Sequence, residues 1–271
     1  MTPAIKYLKL SLSLSLGLGL DATQVRAQIA VVGSTVVEHV AVPGESYIGT
    51  IVVRNVTQQD QPVRIYQTDY RFFADGRSPF DAPGTTPRSN ATWITPTVRA
   101  LLLPPLGEMT VTYSVKVPAT DSLVGTYWSA VMVEGAPTEP GRPSGSRPQV
   151  GVGAVMRYAI QVATHIRTTG SRKVSYANSR FLVNPDSSKA FELDVTNAGQ
   201  RAYRPALWIE VYDEQGALKL KARQERGLLY PGTSLKQTFQ LGSLVPGTYR
   251  AVVFTDSGED VVFASQFTLK F

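Results

Sequence analysis

Three features of the 271-residue sequence predict an all-β protein made of two tandem β-sandwiches behind a removable export signal. Short runs rich in Val, Ile, Thr, Tyr and Phe alternate with Gly, Pro, Asn and Asp punctuation, which is the pattern of sandwiches. After Gln28, helical periodicity is almost absent. The second half of the chain also repeats the order of the first, and an internal repeat is stronger evidence of architecture than local propensity.

The chain opens with a segment whose strict alternation, "LSLSLSLGLGL" (Leu10 to Leu20), would suit a half-buried strand. Its flanks predict a secretory signal instead. Lys6 and Lys9 form a positive start, Leu8 to Leu20 an apolar middle, and Val25, Arg26 and Ala27 a cleavage site before Gln28. The apolar stretch falls short of the roughly 20 residues a bilayer span needs, and an uncleaved anchor is the alternative. No later segment is long and apolar enough to cross a membrane. The expected product is exported to the periplasm, with the cell surface as a further destination and no membrane insertion of the mature chain.

Removal of residues 1–27, with Lys6, Lys9, Arg26 and Asp21, lowers the formal charge from +6 to +4. That charge is diffuse and argues against nucleic acid as a partner. The chain has no Cys, so it offers no disulfide, no thiol chemistry and no lipid-modified Cys as a tether.

Strands are expected at 47–55, 62–72, 109–117 and 125–134, and again at 191–197, 206–213, 234–241, 247–256 and 261–271. "IVVRNVTQQDQPVRIYQTDY" matches "FELDVTNAGQRAYRPALWIEVYD", each with a strand ending in Asn before a polar loop. "LLPPLGEMTVTYSVKVPATDSLVGTYWSAVMVE" matches "LLYPGTSLKQTFQLGSLVPGTYRAVVFTD". Offsets shrink from 142 (Asn55 to Asn197) to 122 (Gly125 to Gly247), so the first copy carries the longer loops. The repeat predicts two immunoglobulin-like domains, 28–168 and 172–271, joined near "RTTGSRK". In "GTY", Gly125 and Gly247 permit a chain reversal, while Tyr127 and Tyr249 point a ring inward and seek a partner for the hydroxyl. Trp93, Trp128 and Trp208 are expected in cores or on sheet faces.

Signs of catalysis are scarce. His39 and His165 lie in different strands without a nucleophile motif, and both are expected as partly exposed strand residues. Two His and no Cys exclude a His/Cys metal cluster. Asp256, Glu259 and Asp260 in "TDSGED" could offer oxygen ligands to calcium, but Asp, Ser and Gly are equally what a β-turn requires. Asn55-Val-Thr and Asn90-Ala-Thr match short glycan-acceptor triplets. The chain is expected to be no enzyme and to hold no cofactor or metal.

One loop and one strand stand apart. Residues 135–149, "GAPTEPGRPSGSRPQ", are rich in Pro and Gly and cannot hold a ladder. The segment that follows, "VGVGAVMRYAIQVATHIR" (150–167), is long for one strand. Its even positions Val150, Val152, Ala154, Met156, Tyr158, Ile160 and Val162 form an apolar row, and its odd positions are small or polar. Such a strand, left unpaired, can be lent to a partner; the alternative is that it bends and buries the row in its own core.

On "IVVRNVTQQDQPVRIYQTDY", "VPATDSLVGTYWSAVMVE", the Pro/Gly loop and "AVMRYAIQVATHI", the chain resembles the periplasmic chaperones of pilus and fimbria assembly. The resemblance covers most of 28–271. It implies two angled immunoglobulin-like domains and a last strand of the first domain, here Val150 to Val162, that completes the fold of a partner subunit. It also implies an anchor for the partner's C-terminal carboxylate. The first strand, "QIAVVGSTVVEHV", lacks the family's Arg, and Gln161 stands where its Lys would align, with Arg157 nearby. The chain is similar, too, to two-domain exported surface proteins that bind peptidoglycan. The expected function is therefore a chaperone-like protein that binds secreted or surface subunits by strand addition. The alternative is a surface module that binds cell wall, glycan or other surface proteins.

Overall fold

Alternating apolar and polar residues become strands that bury one face each, and the described residues contain seventeen of them. The computed structural model describes residues 28–137, 155–242 and 244–271. The expected signal, 1–27, and the strand candidates Val150, Val152 and Ala154 lie outside the described residues.

The first sandwich is built from β1 (Ile29–Val32), β2 (Val36–Ala41), β3 (Ser46–Asn55), β4 (Gln61–Tyr70), β5 (Phe80–Asp81), β6 (Ile94–Pro96), β7 (Ala100–Leu103), β8 (Glu108–Lys116), β9 (Gly125–Gly135) and β10 (Arg157–Ile166). One sheet has the order β1-β3-β8-β6; the other has β2-β10-β9-β4-β5, with β7 also on β4. Between them lie Ile29, Ile51, Val53, Tyr113, Val131, Val133, Ile160 and Val162. Tyr113 fits because its registry partner is Gly49, where any side chain would overlap the ring.

The second sandwich uses β11 (Val174–Val183), β12 (Lys189–Asn197), β13 (Ala206–Tyr212), β14 (Leu218–Glu225), β15 (Ser234–Gly242), β16 (Thr248–Asp256) and β17 (Val262–Lys270). The sheet β11-β12-β15 packs on β14-β13-β16-β17, around Leu193, Leu207, Ile209 and Val253. Among the described residues no named strand of 29–166 pairs with one of 174–270. The two sandwiches still touch firmly. Trp128 stacks on Tyr230 at 4.8 Å, Ser234 N–H donates to Phe72 O at 3.2 Å, and Ala74 N–H donates to Ser234 Oγ at 2.9 Å.

The internal repeat is chemical as well as topological. Asn55 and Asn197 both sit at the end of a strand with no exposure. Asn55 Nδ2 donates to Gln59 O and Pro104 O at 2.7 and 2.8 Å, while its Oδ1 accepts from Thr57 N–H. Asn197 Nδ2 donates to Arg201 O and Leu229 O, both at 2.9 Å, while its Oδ1 accepts from Gly199 N–H. Each amide therefore ties its own turn to the Leu-Pro or Leu-Tyr-Pro segment that begins the second half of its sandwich.

Three expectations need correction. "QIAVVGSTVVEHV" is not one strand: Gly33, at φ 99°, turns the chain so that β1 joins β3 and β2 joins β10. Gly125 is at φ 78° and abuts Gln200 of the second sandwich, but Gly247 is not in the left-handed region and Gly242 (φ 64°) is. The edge strands β11 and β14 escaped notice because "VSYANSRFLV" and "LKLKARQE" are too polar to show a clean buried row. Tyr249 does face inward, with its hydroxyl donating to Val245 O at 2.9 Å. Trp93 packs on the first core, Trp128 lies at the junction, and Trp208 is on a sheet face.

Replacing Asn55 or Asn197 by Ala strands buried carbonyls and should cost about 2 kcal/mol or more in each case. Urea unfolding of the two variants checks it; an unchanged midpoint for either would contradict the shared role.

Candidate functional site at the open edge of β10

β10 is held on one side along its full length. It pairs antiparallel with β9 from Arg157↔Glu134 to Ile166↔Gly125, and Gly135 N–H donates to Met156 O at 3.0 Å. On the other side β2 runs parallel to it only from Gln161↔Val36 to Ile166↔Ala41. The first bond of that pairing is Gln161 N–H to Thr35 O, 2.8 Å. Backbone groups alternate in direction along a strand. With Met156 bonded to β9, Tyr158 and Ile160 also turn toward β9, and Arg157 and Ala159 turn away, toward the side where β2 has not yet begun. Among the described residues no strand meets that side of 157–160.

The side chains divide the expected apolar row. Ile160 and Val162 are each 1% exposed and belong to the chain's own core, so the alternative of self-burial holds for this part of the row. Their inward parity is the same one that lets β10 cover β3 and β8. Tyr158 is half-buried, and its hydroxyl donates to Ile29 O at 2.9 Å, reaching from β10 to the edge of the opposite sheet. Met156 (38%) and Val155 (40%) are exposed at the open end.

Both carboxylate-anchor candidates are already engaged. Arg157 Nε donates to Glu134 Oε2 at 2.7 Å. Glu134 also accepts from Tyr66 Oη at 2.7 Å and Arg64 Nη1 at 3.3 Å. The Tyr66 hydrogen bond, with help from Arg157, holds the Glu134 carboxyl below its ordinary value. Gln161 Oε1 accepts from the Tyr230 hydroxyl at 2.8 Å, which binds it to the second sandwich.

Sequence reasoning missed the residue that fixes β10 against β9. Asn90, in the second acceptor triplet, is fully buried; its Nδ2 donates to Val162 O and Thr164 Oγ1, and its Oδ1 accepts from Ser129 Oγ. Neither Asn55 nor Asn90 presents a side chain for modification. A buried Asn clamp leaves no local pattern that separates it from a surface triplet.

The two His residues occupy adjacent strands but opposite faces. His39 stacks on Tyr47 at 3.8 Å and bonds Glu45. His165 is buried rather than partly exposed: Nδ1 meets Thr126 Oγ1 at 2.8 Å and Nε2 meets Glu38 at 3.0 Å. Thr126 Oγ1 also accepts from Ala202 N–H at 2.9 Å, which joins His165 to the second sandwich. Glu38 also pairs with Arg204, which makes this network a second link between the sandwiches. "TDSGED" forms a turn in which Gly258 N–H donates to Asp256 Oδ1 and Glu259 pairs with Arg172. Among the described residues no group of three His, Cys, Asp or Glu is placed to hold a metal ion. No helix among them is long and apolar enough to cross a membrane.

No protein-family model matches the chain, and no curated protein matches it. Solved structures do. The chain is similar to the class 5 fimbriae chaperone CfaA, at 11% identity over 88% of this chain and 98% of that one, with a TM-score of 0.45. It is similar to a chain of the Salmonella enterica SafA pilin–SafB chaperone complex, at 14% identity over 92% and 99%, TM-score 0.43. It is similar to the E. coli chaperone DraB, at 15% identity over 89% and 95%, TM-score 0.41. The geometry of the open edge, rather than these likenesses, carries the functional reading.

A carboxyl held low in the folded state stabilises the fold fully above the ordinary carboxylate range, and that contribution is lost as pH falls through the depressed value. Glu134→Gln should therefore flatten the fall in urea midpoint between pH 7 and pH 3. An unaltered pH slope would show that the Tyr66–Glu134–Arg157 cluster contributes nothing.

Proposed function

We propose that this chain is an exported, non-enzymatic chaperone-like protein that holds a secreted β-subunit by adding a strand of that partner to the free side of Met156–Ile160. The observation that carries the reading is the late start of β2. Were β2 to begin five residues earlier, β10 would be paired on both sides throughout.

The free side presents the N–H and C=O groups of Arg157 and Ala159, and each ladder bond formed there is worth about 0.5–1.5 kcal/mol. That is too little for tight capture by backbone alone, so the exposed apolar residues beside it matter. Met156 and Val155, both exposed at the open end of β10, offer apolar surface to the partner. An edge left flat and apolar invites association, and natural proteins usually blunt it with charge. Arg157 is the one charge in this stretch, and Glu134 already neutralises it. Arg157 and Gln161 remain candidates for contacting the partner's chain end, Gln161 only if its bond to Tyr230 is exchanged.

Ala159→Pro tests the proposal without disturbing the core. Proline removes an N–H that points away from β9, and edge positions tolerate it. Co-expressed with candidate secreted β-proteins, the wild-type chain should co-purify with a subunit and raise its yield. Ala159→Pro should lose both while keeping the wild-type urea midpoint. Equal capture by the variant would sink strand addition at this edge.

A further inference from the structure

The second sandwich has an unassigned surface far from β10 in sequence and topology: the outer face of β14-β13-β16-β17. Across it, Arg223, Trp208, Phe254 and Ala264 are registry neighbours on four successive strands. The Arg223 guanidinium sits over Trp208 at 5.6 Å, and Trp208 stacks on Phe254 at 4.8 Å with planes 9° apart. One ring face of Phe254 is thus covered by indole. The other looks toward exposed Ala264, whose single methyl leaves space above the edge strand.

Four residues along β16, about 13 Å at ~3.3 Å per residue, Arg250 covers Tyr212 at 5.0 Å. Beside it is a hollow of about 270 Å³ lined by Asp213, Glu214, Thr248, Arg250, Gln266 and Thr268. Asp213 is paired with Lys219 at 2.8 Å. Arg250, Gln266, Thr248, Thr268 and Glu214 make no side-chain hydrogen bond among the described residues, so donors and acceptors both stand free at the surface. Glu210, between the two aromatic positions, is already satisfied by Lys221 and Tyr212 at 2.7 and 2.6 Å.

We infer that this face binds a neutral saccharide chain, one ring stacked on Phe254 over Ala264 and another hydrogen-bonded in the hollow around Gln266 and Arg250. The chemistry selects the ligand. Sugars with equatorial hydroxyls present flat C–H faces to an aromatic ring and a rim of groups that both donate and accept. A nearly balanced set of charges in the hollow (Asp213 with Lys219, Glu214 near Arg250) gives an anion no advantage. A purely apolar partner would leave the amide and hydroxyls unpaired, which is costly. The inference is independent of strand addition at β10.

The test is isothermal titration of the chain lacking residues 1–27 with cellotetraose and with chitotetraose, followed also by tryptophan fluorescence. At least one should bind with a Kd of about 1 mM or tighter, and the fluorescence should change with the same midpoint. Gln266→Ala, at an exposed position that bears no packing load, and Phe254→Ala should each weaken binding by roughly tenfold. Gln266→Ala should keep the wild-type urea midpoint, which separates lost recognition from lost folding. No heat or fluorescence change with either sugar up to about 10 mM would overturn the inference. So would wild-type affinity in both variants, or a Phe254→Ala variant that is only less stable while the wild-type chain binds neither sugar.

Discussion

The organisation of the first sandwich depends on where one hydrogen bond falls, from Gln161 N–H to Thr35 O. It marks the residue at which the first strand, having left β3, reaches β10. Among the described residues, everything before it on β10 has a neighbouring strand on one side only. The crossing is enforced at both ends. Ile29 is fully buried between the sheets, and Gly33 adopts a conformation that suits glycine. Closing the gap by sliding β1 along β10 would withdraw Ile29 from the core, at a cost of about 1.5–3 kcal/mol for the side chain alone. The open edge is therefore a consequence of good packing elsewhere.

The rest of β10 is fastened in proportion. Asn90 binds the carbonyl of Val162 and the hydroxyl of Thr164, and Ser129 of β9 completes the amide's bonding. His165 and Gln161 then carry β10 into contact with the second sandwich through Thr126, Ala202 and Tyr230. Burial pushes the ionisation of the Tyr230 hydroxyl well up, so it remains a neutral donor to Gln161 at any ordinary pH. β10 therefore has a firmly fastened base and, among the described residues, an upper edge with no strand beside it. Among the described residues, Tyr158 reaches across the mouth of the sandwich through its hydrogen bond to Ile29 O.

Much of this was legible in the residues. The repeat around Asn55 and Asn197 located two sandwiches because one chemical solution, a buried amide tying a turn, was used twice. The alternation from 150 to 166 identified β10 as unusual, and its neighbour in the sheet, "TYWSAVMVE", was read within one residue. What sequence could not supply was the partner on either side of each strand. Parity says that Ile160 and Val162 share a face, but only the opposite sheet decides that this face is interior. The break at Gly33 was invisible for a related reason, since a glycine inside an alternating run reads as a weak strand until the two halves are seen in different sheets. The burial of Asn90, visible in sequence only as part of an acceptor triplet, and of His165, expected to be partly exposed, could not be read locally because a buried polar group is defined by the distant atoms that satisfy it.

Amide hydrogen exchange along β10 tests the central claim most directly. In the free chain the amide of Ala159 should exchange orders of magnitude faster than those of Tyr158 and Ile160, which are turned toward β9, and Gln161 should mark the onset of protection on both sides. Slow exchange at Ala159 comparable to that at Ile160, with no partner present, would mean that the edge is already occupied and would contradict the account.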